Sequence, residues 1–182
     1  MLRIIADSTC DISKEDARKM GIQIVPISVR FGDEEFLDGV EITHEEFYTR
    51  LAECDELPKT SQPSPDAFMK VFNEAVAAGD DVLGIFISSD LSGTYQSACL
   101  AALDVEEETG KKLYMVDSRS ASIGTALLIR EAVKLRDAGV NVADIAAACT
   151  EMSKYIKLTA VVGSLKSVSY THLRAHETSL HL

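Results

Sequence analysis

Two periodicities alternate along this chain. Leu2–Ala6 is a short, Ile-rich apolar run, the pattern of a buried strand. Ser13, with Asp16 three residues on, predicts a capped helix that runs to Gly21. Ile22–Phe31 alternates but carries Pro26, which predicts one strand that is bulged or near an edge, because proline cannot donate to a ladder. Gly32-Asp33 reads as a turn and Glu35–Leu37 as a short strand. Thr43 and Glu46 form a capping box, and Phe47, Leu51 and Cys54 line one face of the helix after it. Asp55–Ser64 reads as a loop. Ser64-Pro65 then opens a helix with proline at its first position; Phe68, Val71, Phe72, Ala75 and Val76 supply its apolar stripe, and Gly79 ends it.

The second half repeats the alternation. Val82–Ile87 is a buried strand, followed by a helix from Ser92 or Gly93 to about Glu108. Leu113–Val116 is a strand and Ile123–Ala138 a helix ending at Gly139. Val142, Ile145, Cys149, Met152 and Ile156 mark one more helix, and Leu158–Val162 a last strand. Strand–helix alternation with short loops predicts an α/β fold, with a mostly parallel sheet and helices on both faces.

Composition narrows the function classes. A chain of 182 residues with 46% hydrophobic and 26% charged residues has the mix of a folded domain. Eighteen Lys and Arg against 29 Asp and Glu give a net charge of −11, which argues against a nucleic-acid binder or adhesion to anionic membranes. The longest uncharged run, Leu91–Leu103, has 13 residues, too few to span a bilayer, and Asp7 interrupts any signal-peptide core. Cys10, Cys54, Cys99 and Cys149 are widely spaced with no CxxC, which fits reduced thiols in a cytoplasmic protein.

Ligands of open α/β sheets bind beyond the carboxyl ends of the strands. Four segments there are crowded with hydroxyls: Asp7–Asp11, Lys59–Ser64, Ser88–Tyr95 and Asp117–Ser120. In Ser92-Gly93-Thr94, Gly93 admits a ligand close to the backbone, and the helix start beside it offers free N–H groups to an anion. Serine at such a position also caps helices with no ligand at all, and both readings stand. Thr60 and Ser61 likewise precede a helix start. Asp7, Asp11 and Asp117 at strand ends suit either turn capping or a metal-dependent hydrolase or phosphotransferase acting on a small phosphorylated substrate. There is no phosphate-loop pattern and no GxGxxG. His44, on a surface helix, is a poor base for a serine triad.

Taken together, Ala6–Asp11, Phe36–Ile42, Thr60–Ser64, Ser88–Gln96 and Val116–Ser118 resemble the DegV family of bacterial fatty-acid-binding proteins, in order and spacing. The resemblance implies an α/β domain over residues 1–166, followed in the family by a second α/β domain that is missing here. It implies a carrier with no cofactor and no catalytic residues. Such a carrier holds a long-chain fatty acid and presents its carboxylate to a fatty-acid kinase. The family's head-group contacts map onto Thr60 and Ser92, with Ser61, Gly93 and Thr94 beside them. Burying an acyl chain yields about 0.8 kcal/mol per CH₂, roughly 10 kcal/mol for a long one, against about 0.3–2 kcal/mol from a helix N-terminus. The tail therefore supplies affinity and the hydroxyls supply position.

Residues 167–182 depart from the family pattern and resemble translated sequencing adapter, and three of the four histidines fall there. The tail is expected to be non-native and the chain a truncated domain. With one pocket wall absent, weak acid binding and aggregation follow.

Overall fold

The computed structural model describes residues 1–54 and 56–159. Four parallel strands form the main sheet: β1 (Leu2–Asp7), β2 (Ile22–Val25), β6 (Asp81–Phe86) and β7 (Tyr114–Asp117), in the order β2-β1-β6-β7. A second, antiparallel sheet holds β3 (Ser28–Phe31), β4 (Glu34–Leu37) and β5 (Lys59–Ser61), in the order β4-β3-β5. Among the described residues there are six α-helices: α1 (Lys14–Met20), α2 (His44–Glu53), α3 (Pro65–Ala77), α4 (Thr94–Thr109), α5 (Ile123–Asp137) and α6 (Val142–Ser153).

The apolar runs of β1 and β6 are explained by burial on both faces. Ile4, Ala6, Leu83 and Ile85 pack with Ala17 of α1, Leu128 and Ile129 of α5 and Ile145 of α6. On the opposite face Ile5, Val82 and Phe86 pack with Phe68 and Phe72 of α3 and Ala98, Ala101 and Val105 of α4. Helices therefore cover both faces of a parallel sheet, as the sequence pattern implies. The helix starts follow their local signals. Ser13 accepts from Asp16 N, the Thr43–Glu46 capping box is complete, and Ser64 accepts from Ala67 N ahead of Pro65. Cys10 and Cys149 are fully buried, and burial pushes each thiol up to about 11.

The structure corrects three expectations. Ile22–Phe31 is not one strand. Pro26 cannot donate to a ladder, and Ile27 N donates to Ser8 Oγ (3.2 Å), so the chain leaves the parallel sheet and begins the antiparallel one. Asp55–Ser64 is not wholly loop, because Lys59–Ser61 pairs with Ser28–Arg30. The helix expected from Ser92 or Gly93 begins at Thr94, with Gly93 as its cap. Of the strand expected at Leu158–Val162, residues 158 and 159 carry no regular structure, and the rest lies outside the described residues. The same holds for the 167–182 tail and its histidines.

Strand order fixes where a site can form. From β1 the chain moves outward to β2, and from β6 it moves the other way to β7. Loops leaving the adjacent carboxyl ends of β1 and β6 diverge, which opens a crevice between them.

Candidate functional site

All four hydroxyl-rich segments converge at this carboxyl end. Fully buried Asp7, the last residue of β1, binds the start of the next loop: Oδ2 accepts from Ile87 N (2.8 Å), and Oδ1 accepts from Thr9 N (3.0 Å) and from the Thr9 hydroxyl. Burial raises the Asp7 carboxyl above the usual carboxylate range even though these donors pull it down. Asp117, ending β7, accepts from Ser89 N (3.2 Å), Ser89 Oγ (2.6 Å) and Arg119 N (2.8 Å). Ser88 N donates to Ser120 O (2.8 Å) and Ser122 N to Thr9 O (2.9 Å), which with the Asp7–Ile87 bond links the loops after β1, β6 and β7 into a ring. Two of the three strand-end aspartates thus hold loops together. Asp11, the third, is exposed and takes a left-handed φ of 54° that ends a 3₁₀ turn at Ser8–Cys10. Among the described residues, no group of three His, Cys, Asp or Glu side chains is placed to hold a metal ion.

The Thr60 segment reaches the same place from the small sheet. Ser97 Oγ of α4 donates to Pro63 O (2.8 Å), a buried bond that fixes this segment beside the first turn of α4. The Gln62 carboxamide lies against Gly93, where a Cβ would run into it. The Thr60-Ser61 pair and the Ser92-Gly93-Thr94 group, 32 residues apart in sequence, are therefore neighbours across one junction. Within the first pair the two side chains diverge. Thr60 pairs with Val29 and Ser61 with Ser28 in the antiparallel ladder, so they project from opposite faces of β5. Both are exposed.

Within the second group, Thr94 is fully buried and Ser92 is half-buried. Ser92 Oγ accepts from Thr94 N (3.2 Å) and lies 2.9 Å from Thr94 Oγ1. Gly93 caps α4 with no side-chain hydrogen bond. Gln62 lies within the Thr60–Ser64 motif, and the sequence alone assigns it no role. Its signal was positional: in extended chain it falls two residues after Thr60, on the same side. The stitching by Asp7 and Asp117 left no local signal, because their partners lie 80 and 28 residues away.

A separate shallow cleft of about 850 Å³ opens at the amino ends of the strands, lined by Arg3, Met20, Asp80 and Arg136 among others. Several of its charged groups are tied within it. Arg3 Nη2 binds Asp80 at 2.6 Å, and Arg136 Nη2 donates to Met20 O (2.8 Å) at the end of α1. It lies at the other end of the sheet from the hydroxyl loops and includes none of their residues.

Comparison with known proteins places this arrangement. The family model described as "Uncharacterised protein, DegV family" matches residues 1–169. A DegV domain-containing protein of Clostridium perfringens is 38% identical over 167 residues, covering 92% of this chain and 59% of the relative. Among solved structures, a stearic acid-binding protein from Eubacterium ventriosum aligns with a TM-score of 0.76 at 36% identity, covering 82% of this chain and 52% of that one. A structure described as fatty acid binding of a DegV family protein from Thermus thermophilus aligns with a TM-score of 0.75 at 33% identity, covering 84% and 53%. The chain thus spans just over half the length of the proteins it matches. Among the described residues, no helix is long and apolar enough to cross a membrane.

Proposed function

Because this chain belongs to the DegV family, we propose that it binds a long-chain fatty acid. The carboxylate is held at the junction of the Thr60 and Ser92 segments, in position for a fatty-acid kinase to phosphorylate it. The observation that carries this reading is the junction itself. Gln62 against Gly93, and Ser97 bonded to Pro63, bring two separate hydroxyl segments together at the crevice where open α/β sheets bind ligands.

Ser92 is the pivot. Buried Thr94 donates its N–H to Ser92 Oγ (3.2 Å), and the two hydroxyls lie 2.9 Å apart, where either can donate; with Thr94 Oγ1 as the donor, the Ser92 hydrogen is free to point outward. Thr94 then acts as the residue that positions Ser92, and does not itself touch the acid. Thr60 is the second donor; Ser61, on the other face of β5, is not. The start of α4 at Thr94, behind Gly93, adds backbone N–H groups and a favourable dipole.

Equilibrium dialysis with labelled stearate tests the reading. The 182-residue chain is expected to retain stearate weakly but measurably, and Ser92→Ala and Thr60→Val each to weaken that retention about tenfold or more, since a hydrogen bond to a charged group contributes about 1.5–3 kcal/mol. Ser61→Ala is expected to change it less than twofold. Equal retention by all four proteins removes the head-group assignment, and no retention by the unaltered chain removes the function.

A further inference from the structure

Gly93 has an ordinary backbone. Its φ of −72° is one that any residue adopts, so conformational freedom does not explain a glycine there. Space does: a Cβ at this position would collide with the Oε1, Cδ and Nε2 atoms of Gln62. The room left by glycine is thus filled by one carboxamide. The backbone of the residue that carries it is held from both sides. Ser61 just before it is locked in the ladder opposite Ser28, and Pro63 just after it accepts the buried bond from Ser97 Oγ. Among the described residues, no hydrogen bond engages the Gln62 amide itself, and the residue is exposed. A side chain anchored at its base, seated at a helix start and free at its polar tip is arranged to meet something from outside.

We propose that Gln62 is a specificity-determining residue of the head-group site, its amide N–H donating to the ligand carboxylate between Thr60 and Ser92. The proposal rests on the fatty-acid reading above. An amide suits this place better than a charged group. It offers N–H donors to an anion and adds no charge of its own, so it selects a carboxylate end over a hydroxyl or ester end. Glutamate has nearly the same shape but at neutral pH carries only acceptors and a negative charge, so Gln62→Glu reverses the preference without altering the packing.

The test is a titration of the ¹⁵N-labelled 182-residue chain with decanoate and, separately, decanol, followed by NMR. The side-chain NH₂ pair of Gln62 is expected to shift with decanoate and stay in place with decanol. Gln62→Glu is expected to lose at least tenfold in decanoate affinity at pH 7 while binding decanol as before. Gly93→Ala must push the carboxamide aside, and it is expected to reduce the preference for decanoate over decanol without lowering the melting temperature appreciably. The proposal fails, with the function intact, when backbone amides of Thr60 and Ser92 respond to decanoate but the Gln62 NH₂ does not. It also fails when Gln62→Glu weakens both ligands equally, the mark of a purely structural role. If no resonance responds to either ligand, the fatty-acid reading fails and takes this inference with it.

Discussion

Gly84→Val is expected to lower stability by about 3 kcal/mol or more, at the upper end of overpacking costs. Gly84 is buried in the middle of β6, between β1 and β7. Strand alternation puts it on the same face as Phe86, two residues on, and the Phe86 ring folds back over it. A Cβ at Gly84 would stand 2.8 Å from Phe86 Cζ and 2.7 Å from Met115 Sδ, both too close to persist. Phe86 has little room to retreat, because it is fully buried and packs edge-on against Phe68, with ring centroids 5.1 Å apart. Urea unfolding measures the loss. Gly84→Val/Phe86→Leu is expected to recover part of it, so the two effects are non-additive. Simple addition of the two losses would show that the Phe86 ring is not what excludes a side chain here.

Asp7→Ala is expected to cost about 2–4 kcal/mol, since it strips acceptors from the backbone N–H groups of Ile87 and Thr9 in a buried place. The pH dependence is a sharper signature. Burial raises the folded-state pKa of Asp7 above its unfolded value. A group shifted in that direction contributes its stability in full below the unfolded pKa, near 4, and loses it as pH rises through the raised value. The stability of the unaltered protein relative to Asp7→Asn, which cannot ionise, is therefore expected to fall as pH is raised from about 4 toward neutrality. Asp80 runs the other way. Its bonds to the N-terminal ammonium and Arg3 hold its carboxyl below the usual range, so its contribution disappears as pH falls through that lowered value. Chemical unfolding of both proteins across this range separates the two, because Asp80 is common to both and cancels. A flat difference would mean that Asp7 is not the buried carboxylate described here.

The helices were legible because their signals are local. Ser13, the Thr43–Glu46 box and Ser64-Pro65 each announce a start within four residues, and the caps form as written. The parallel strands were legible because burial on both faces demands continuous apolar runs. The small sheet was only half legible. Lys59-Thr60-Ser61 is exposed throughout and has no apolar alternation, so nothing local marks it as a strand. Its pairing is decided by β3, about 30 residues earlier. The same distinction governs the site. Hydroxyl-rich segments after strands could be read directly, and so could Ser92 beside a helix start. That Thr60 and Ser61 face opposite ways depends on register, and that Thr94 is buried behind Ser92 depends on packing. Strand-end aspartates look alike in sequence whether they act on a ligand or brace loops. The partners of Asp7 and Asp117 distinguish the cases, and those partners come from other strands.

The central claim is that one carboxylate sits between Thr60 and Ser92. It is tested most directly by NMR of stearate labelled with ¹³C at the carboxyl carbon, bound to the 182-residue chain and titrated with acid. Donors aimed at a carboxylate favour its charged form. The bound resonance is therefore predicted to stay ionised to lower pH than the same acid in Ser92→Ala or Thr60→Val. A bound carboxyl that titrates identically in all three proteins would contradict the account.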